Sequence, residues 1–275
     1  MSANLQDVVK LRKLTGAGMM DCKKAIEEAN GDIDRAVELI RERGKAIANK
    51  RADRIAAQGV IMALDNQDHS KAVLITVNCE TDFVAKNQDF IALAKKIAQA
   101  ALASNVSTLE ELKALKVDDA TAGELVTRQS GITGEKMELS FFSSIEAAEV
   151  ACYNHPGYGL AAIAGFSKKM ADHQVGFNIA MQVAGMNPVA IDADHVPQEI
   201  KDKEFEIGRE QARMEGKPEN MLDKIAQGRL QKFFRENTLL SQQYVQDEKL
   251  SVAQYIAQAD KDLKVTAFAR NVLTE

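Results

Sequence analysis

Tryptophan is missing from this chain of 275 residues, and aromatic residues of all kinds make up only 5% of it. Few flat rings leave little material for stacking nucleic-acid bases. A basic excess is missing too. The net charge is -5, whereas a nucleic-acid-binding surface normally shows a clustered basic face. The basic segment Lys45 to Arg54 reads as a solvated helical linker, and no nucleic-acid partner is expected. No apolar run approaches the ~18–20 residues needed to span a bilayer, so no membrane partner is expected either. The three cysteines, Cys22, Cys79 and Cys152, are odd in number and far apart. That argues against a disulfide framework and for buried, reduced thiols. Met1 to Asp7 lacks the basic-then-apolar pattern of a secretory signal, and the expected location is cytoplasmic.

Motifs that carry chemistry are also missing. There is no G-x-x-x-x-G-K-[ST], no G-x-G-x-x-G, no H-E-x-x-H and no G-x-S-x-G. His69, His155, His173 and His195 are scattered, without ligand spacing to one another or to the cysteines. The expectation is no catalytic residue, no metal and no cofactor: a binding protein rather than an enzyme.

What is present is globular, with 45% hydrophobic and 27% charged residues and a length that suits about two domains. The chain is organised around Asn78-Cys79-Glu80-Thr81-Asp82-Phe83-Val84-Ala85. Val73, Ile75 and Val77 lead into it at period two, as a strand does, and Phe90 to Ala98 follow with helical character. Asp82 or Asn87 is expected to cap that helix. Phe83 stands in the turn as a core residue or as an anchor for another protein.

Residues 4–54 read as three helices. Leu5, Val8, Val9, Leu11 and Leu14 recur at helical spacing, with Ser2 or Asn4 as the cap. Gly16 and Gly18 interrupt, and Met19 and Met20 follow them in a loop that favours exposing at least one. Asp21 to Ala29 form a second helix. Asp32 caps a third, striped by Ile33, Ala36, Val37 and Ile40 and closed by Gly44. Next come a hairpin over 57–79, helices, and a strand from Met137 to Phe141. A second unit repeats the plan: strands Ala147–Tyr153 and Leu160–Phe166 around the His155 corner, a helix, and a late strand Lys264–Val272. The class is α+β, with small antiparallel sheets carrying helices in a weak internal repeat. Between these parts, Pro197 to Glu236 reads as a helical hairpin broken at Gly216-Lys217-Pro218. Ile200, Ile207 and Met214 lie seven apart, and Phe205 and Ala212 form a separate stripe, which is expected to meet a second molecule.

Two motifs carry a family resemblance. Thr15-Gly16-Ala17-Gly18-Met19-Met20-Asp21-Cys22-Lys23-Lys24-Ala25, then Asn30-Gly31-Asp32, resembles the N-terminal domain of bacterial elongation factor Ts, and Cys79 to Ala85 resembles that family's second signature. The block from Val196 to Phe233 is similar to the family's inserted coiled-coil hairpin. The resemblance implies a guanine-nucleotide exchange factor that binds elongation factor Tu carrying GDP and speeds GDP release. It implies an N-terminal three-helix ubiquitin-associated-like domain over 1–54. A two-part core would follow, 55–145 and 146–275, with a dimerisation hairpin at 197–236. Asp82 and Phe83, flanked by Thr81 and Val84, would disturb the partner's Mg²⁺ and phosphate site. Arg12, Met19, Met20, Lys23 and His155 would touch the partner elsewhere, and Cys22 and Cys79 would pack. Three departures stand out: Val9 where members place Lys, Pro156 directly after His155, and an end at Glu275 where some members carry a further helix, so that contact is expected to be reduced. The rival reading is an adaptor that recruits another protein through the ubiquitin-associated-like domain without nucleotide exchange.

Overall fold

The computed structural model describes residues 4–273. It opens with α1 (Leu5–Thr15), α2 (Met19–Glu28) and α3 (Ile33–Lys50). Asn4 accepts a hydrogen bond from the Gln6 N–H, and Asp32 accepts from Asp34 and Arg35. Both caps satisfy donors that the first turn leaves free. Ser2, the other candidate cap, lies outside the described residues. Gly16 ends α1 in the left-handed region, at φ 72°, where a residue without Cβ meets no clash. Val8, Leu11, Cys22, Ala25, Ile26, Ala36 and Leu39 close a small core among these helices.

Strands β1 (Gln58–Asp65) and β2 (Lys71–Cys79) form the expected hairpin, paired from Gln58–Cys79 to Asp65–Ala72. Four helices follow: α4 (Asp82–Ala85), α5 (Gln88–Leu102), α6 (Leu109–Ala114) and, after the short ribbon β3 (Lys116–Val117) and β4 (Ala120–Thr121), α7 (Ala122–Thr133). Strand β5 (Glu138–Glu146) then returns to pair with β2, giving the antiparallel order β1-β2-β5.

The second half repeats this plan. Strands β6 (Glu149–Asn154) and β7 (Leu160–Phe166) precede α8 (His173–Met186). The hairpin of α9 (Gln198–Met214) and α10 (Glu219–Asn237), the ribbon β8 (Gln243–Tyr244) and β9 (Asp247–Ser251), and α11 (Val252–Ala259) lead to β10 (Val265–Val272). That last strand pairs with β7, in the order β6-β7-β10. In both halves the late strand adds to the second strand of the hairpin.

Period-two alternation sends the two faces of the first sheet into different cores. Val60, Met62, Val73, Ile75 and Val77 meet Phe90, Ala94 and Ile97 of α5. Ile61, Ala63, Ala72 and Leu74 meet Val150, Ala161 and Ile163 of the second sheet. The far face of the second sheet packs Ala162, Ala164 and Phe166 on Ile179 and Val183 of α8. Two sheets thus lie face to face with helices outside each. Asn154 donates to the Ala63 carbonyl and accepts from its N–H, at 2.9 and 2.8 Å, which satisfies the free edge of β1 at Ala63.

Three expectations need correction. Gly44 does not end the third helix, because α3 runs on to Lys50. Gly44 lies instead against Gly131 of α7, where a Cβ on Gly131 would come within 2.4 Å of the Gly44 Cα. Two bare glycines let the helices touch backbone to backbone. Met19 and Met20 are not in a loop but start α2, directly after its N-cap, Gly18. In the hairpin, the stripe of Phe205 and Ala212 turns inward. Ala212 is fully buried, and Phe205 packs with Val196, Leu230 and Phe234. The apolar residues left outside are Ile207, Met214 and Met221. Among the described residues, no helix is long and apolar enough to cross a membrane.

Candidate functional site

The site is the corner between β2 and α5. Thr81, not Asp82, caps the four-residue helix α4, its Oγ accepting from the Val84 N–H. Asn87 caps α5, as one of the two candidates. Val84 and Ala85 turn onto the core beneath the first sheet. Adjacent helical positions point about 100° apart, so the side chain before them is driven outward. Phe83 is accordingly 83% exposed. An exposed single apolar residue is ordinary. A whole exposed phenyl ring on a rigid turn is not explained by the chain's own packing.

The rigidity comes from two carboxylates, each bonded to backbone N–H groups of the other's segment. Glu135, after α7, accepts from the N–H groups of Glu80 and Thr81, both at 3.1 Å, and from the Thr81 hydroxyl at 2.6 Å. Glu80 accepts from the Lys136 N–H at 2.5 Å and from Arg54 at 2.9 Å, with Arg51 3.7 Å away. The Lys136 N–H bond first, then Arg54 and Arg51, hold the Glu80 carboxyl below its ordinary value. Asp82 pairs with Lys86 at 2.7 Å, and that bond lowers its pKa in turn. Cys79 is buried and donates to the Thr81 carbonyl at 3.2 Å. Burial pushes its thiol up to about 12, which makes it a packing group rather than a nucleophile.

The other residues singled out from the sequence lie elsewhere. Arg12 on α1 and Met19, Met20 and Lys23 on α2 are all exposed. Among the described residues, neither Arg12 nor Lys23 enters an ion pair. His155 is exposed in the β6–β7 turn, where Tyr153 holds its Nδ1 at 2.9 Å, and Tyr153 stacks edge-on against Phe177 of α8. Cys22 is fully buried, with its thiol raised by desolvation.

Comparison with known proteins gives one consistent family. Residues 80–275 match the model of the family described as Elongation factor TS. The chain is 47% identical to Elongation factor Ts of Porphyromonas gingivalis, over 99% of both chains. It is 49% identical to Elongation factor Ts of Christiangramia forsetii, over 97% of both. It is 46% identical to that of Amoebophilus asiaticus, over 98% of both.

The chain belongs to the elongation factor Ts family.

Within this elongation factor Ts chain, sequence reasoning missed Glu135, Arg51 and Arg54. Glu135 lies 55 and 54 positions from the two N–H groups it accepts, so no local pattern announces it. Arg51 and Arg54 fall in the basic linker, where a charge run reads as solvated. The one available signal was Glu80 itself, an acidic residue beside the motif with basic residues free to reach it.

Proposed function

We infer that this chain is a translation elongation factor that binds elongation factor Tu carrying GDP and promotes GDP release, so that GTP can enter. The observation that carries the reading is the Phe83 ring, 83% exposed at the tip of a braced corner, in a chain of this family. A GTPase holds GDP through backbone donors and a Mg²⁺ ion bridging phosphate oxygens. An exchange factor performs no covalent step. It binds the nucleotide-poor shape of its partner better than the nucleotide-bound one.

Phe83 acts here as the anchor that enters the partner's GTPase domain, with Thr81, Asp82 and Val84 setting its pose. Burying the ring is worth about 1.5–3 kcal/mol, and each ~1.4 kcal/mol off the dissociation barrier is tenfold in rate. By linkage, GDP weakens the factor as much as the factor weakens GDP. Arg12, Met19, Met20 and Lys23 on one side and His155 on the other are secondary contacts. In this reading residues 1–54 form the ubiquitin-associated-like module, and 55–145 and 146–275 are the halves of the core. Residues 197–236 are the hairpin through which copies self-associate, using the exposed Ile207, Met214 and Met221.

Stopped-flow release of a fluorescent GDP from elongation factor Tu tests the function. The expected result is faster release, saturating with this protein. No acceleration at saturating amounts would remove the reading.

A further inference from the structure

We propose that Asp65, His69 and His173 form a binding site for a zinc-class divalent transition metal, with Glu149 orienting His173 from behind. The four residues are scattered along the chain and converge at one end of the sheet-on-sheet interface. Asp65 ends β1, and His69 sits in the β1–β2 turn at φ 55°. Glu149 begins β6, and His173 begins α8. The two imidazole rings lie 4.1 Å apart, inclined by 27°.

Each imidazole has a carboxylate on Nδ1. Asp65 lies 2.5 Å from Nδ1 of His69, and Glu149 lies 2.8 Å from Nδ1 of His173. On His173 a proton held on Nδ1 by Glu149 leaves Nε2 with a lone pair, the form in which histidine binds metal, and a carboxylate behind a metal-bound histidine does this work. On His69 the ion would take the place of the proton shared between Nδ1 and Asp65, so that both become ligands. Among the described residues, Nε2 of His173 has no hydrogen-bond partner. Glu149 is suited to the supporting role: its side chain is 5% exposed and is also held by the Met170 N–H at 2.6 Å.

Donor atoms of Asp65, His69 and His173 all lie within 4.8 Å of one another. Ligands at ~2.0–2.1 Å around a tetrahedral ion sit roughly 3.3 Å apart, so binding would part Asp65 from His69 slightly and draw His173 in by side-chain rotation. Both histidine side chains are about 40% exposed (41% and 39%), which provides an entry path and a fourth position for water. Two imidazoles with one carboxylate suit zinc, cobalt or nickel, whereas calcium and magnesium need oxygen ligands throughout. Lys169 is the nearby opposing charge, its Nζ bonded to the Asp68 carbonyl. A bound ion would join the first sheet to the second and stabilise the folded chain over the unfolded one.

The test uses the full chain stripped with chelator, then titrated with Zn²⁺ by calorimetry and with Co²⁺ by visible absorption. The expected result is one equivalent of either ion, a four-coordinate Co²⁺ spectrum, and a thermal midpoint that rises with Zn²⁺. His69→Ala and His173→Ala should each abolish the stoichiometric binding, and Glu149→Gln should weaken it about 10–100-fold. His195→Ala, at the separate His195–Asp192 pair, should change nothing. The proposal is overturned if the native chain binds no equivalent up to ~1 mM, a millimolar dissociation constant being the weakest worth the name of a site. It is overturned equally if binding survives both alanine variants or disappears with His195→Ala. Circular dichroism in chelator checks that each variant folds. Where an alanine variant does not, His69→Gln or His173→Gln replaces it, with the same outcomes required.

Discussion

A phenyl ring that contributes nothing to its own fold should be removable without harm to that fold. Phe83→Ala is expected to shift stability by no more than about 0.5 kcal/mol, as exposed substitutions do. It should slow GDP release by roughly 10- to 150-fold, the rate equivalent of the burial energy of the ring. Thermal melts and stopped-flow release on the same preparation separate the two effects. Glu135 behaves differently, because its carboxylate answers three donors on residues 80 and 81. Glu135→Leu should cost about 1–3 kcal/mol through unsatisfied N–H groups and also slow release, since the ring loses its fixed pose. A melt unchanged by that variant would show that water can replace the brace. Glu80 adds a pH dependence. Its folded pKa lies below the ordinary 4.5, so its stabilisation is complete above that value and is lost as pH falls through the folded one. The gap in melting temperature between the native chain and Glu80→Gln should therefore be widest near neutrality and close as pH falls below the ordinary carboxylate value.

At the scale of elements, the contact that matters most is the crossing of α3 and α7. Gly131→Val would drive side-chain atoms into the Gly44 backbone, which even a Cβ would approach to 2.4 Å. The two sheets lie away from this crossing and should remain folded. The expected result is faster proteolysis at Arg51 and Arg54, where the chain leaves α3, with the rest of the core still protected. Equal protection in the variant would mean that α3 is held by its ion pairs, such as Arg41–Asp119 at 2.8 Å, rather than by the glycine contact. The N-terminal helices are therefore docked by shape as well as by charge.

For the whole molecule, the decisive surface is the face shared by the two sheets. Ile163 is fully buried there with Leu74 and Ile61. Ile163→Ala should cost about 2–5 kcal/mol, the usual range for a large-to-small core change. Because both halves use that face, fluorescence and circular dichroism should lose signal together in denaturant, with one lowered midpoint. Two separate transitions would show that the halves fold independently and that their contact is incidental. The shared face also fixes the distance between the Phe83 corner of the first half and the His155 turn of the second. Asn154 adds to this by bonding Ala63 across the halves.

Much was legible from the chain alone wherever the cause is local. Helix stripes, the Asp32 cap, Asn87 as one of two cap candidates and the hairpin over 57–79 all depend on near neighbours, whereas the outward turn of Phe83 was open in the sequence and was decided only by Val84 and Ala85 packing beneath the sheet. The two signature motifs identified the family for the same reason: they are contiguous. Contacts between distant segments were decided only by the fold. Period two marks two faces of a strand but not that both are dry, as in β1 and β2. A glycine in a helical pattern reads as a stop unless a second glycine, far along the chain, comes to meet it. The stripe of Phe205 and Ala212 is apolar whichever way it faces, and only packing turned it inward. Glu135 at the corner, and His69 beside His173, became neighbours because sheets bring together residues that no spacing rule connects.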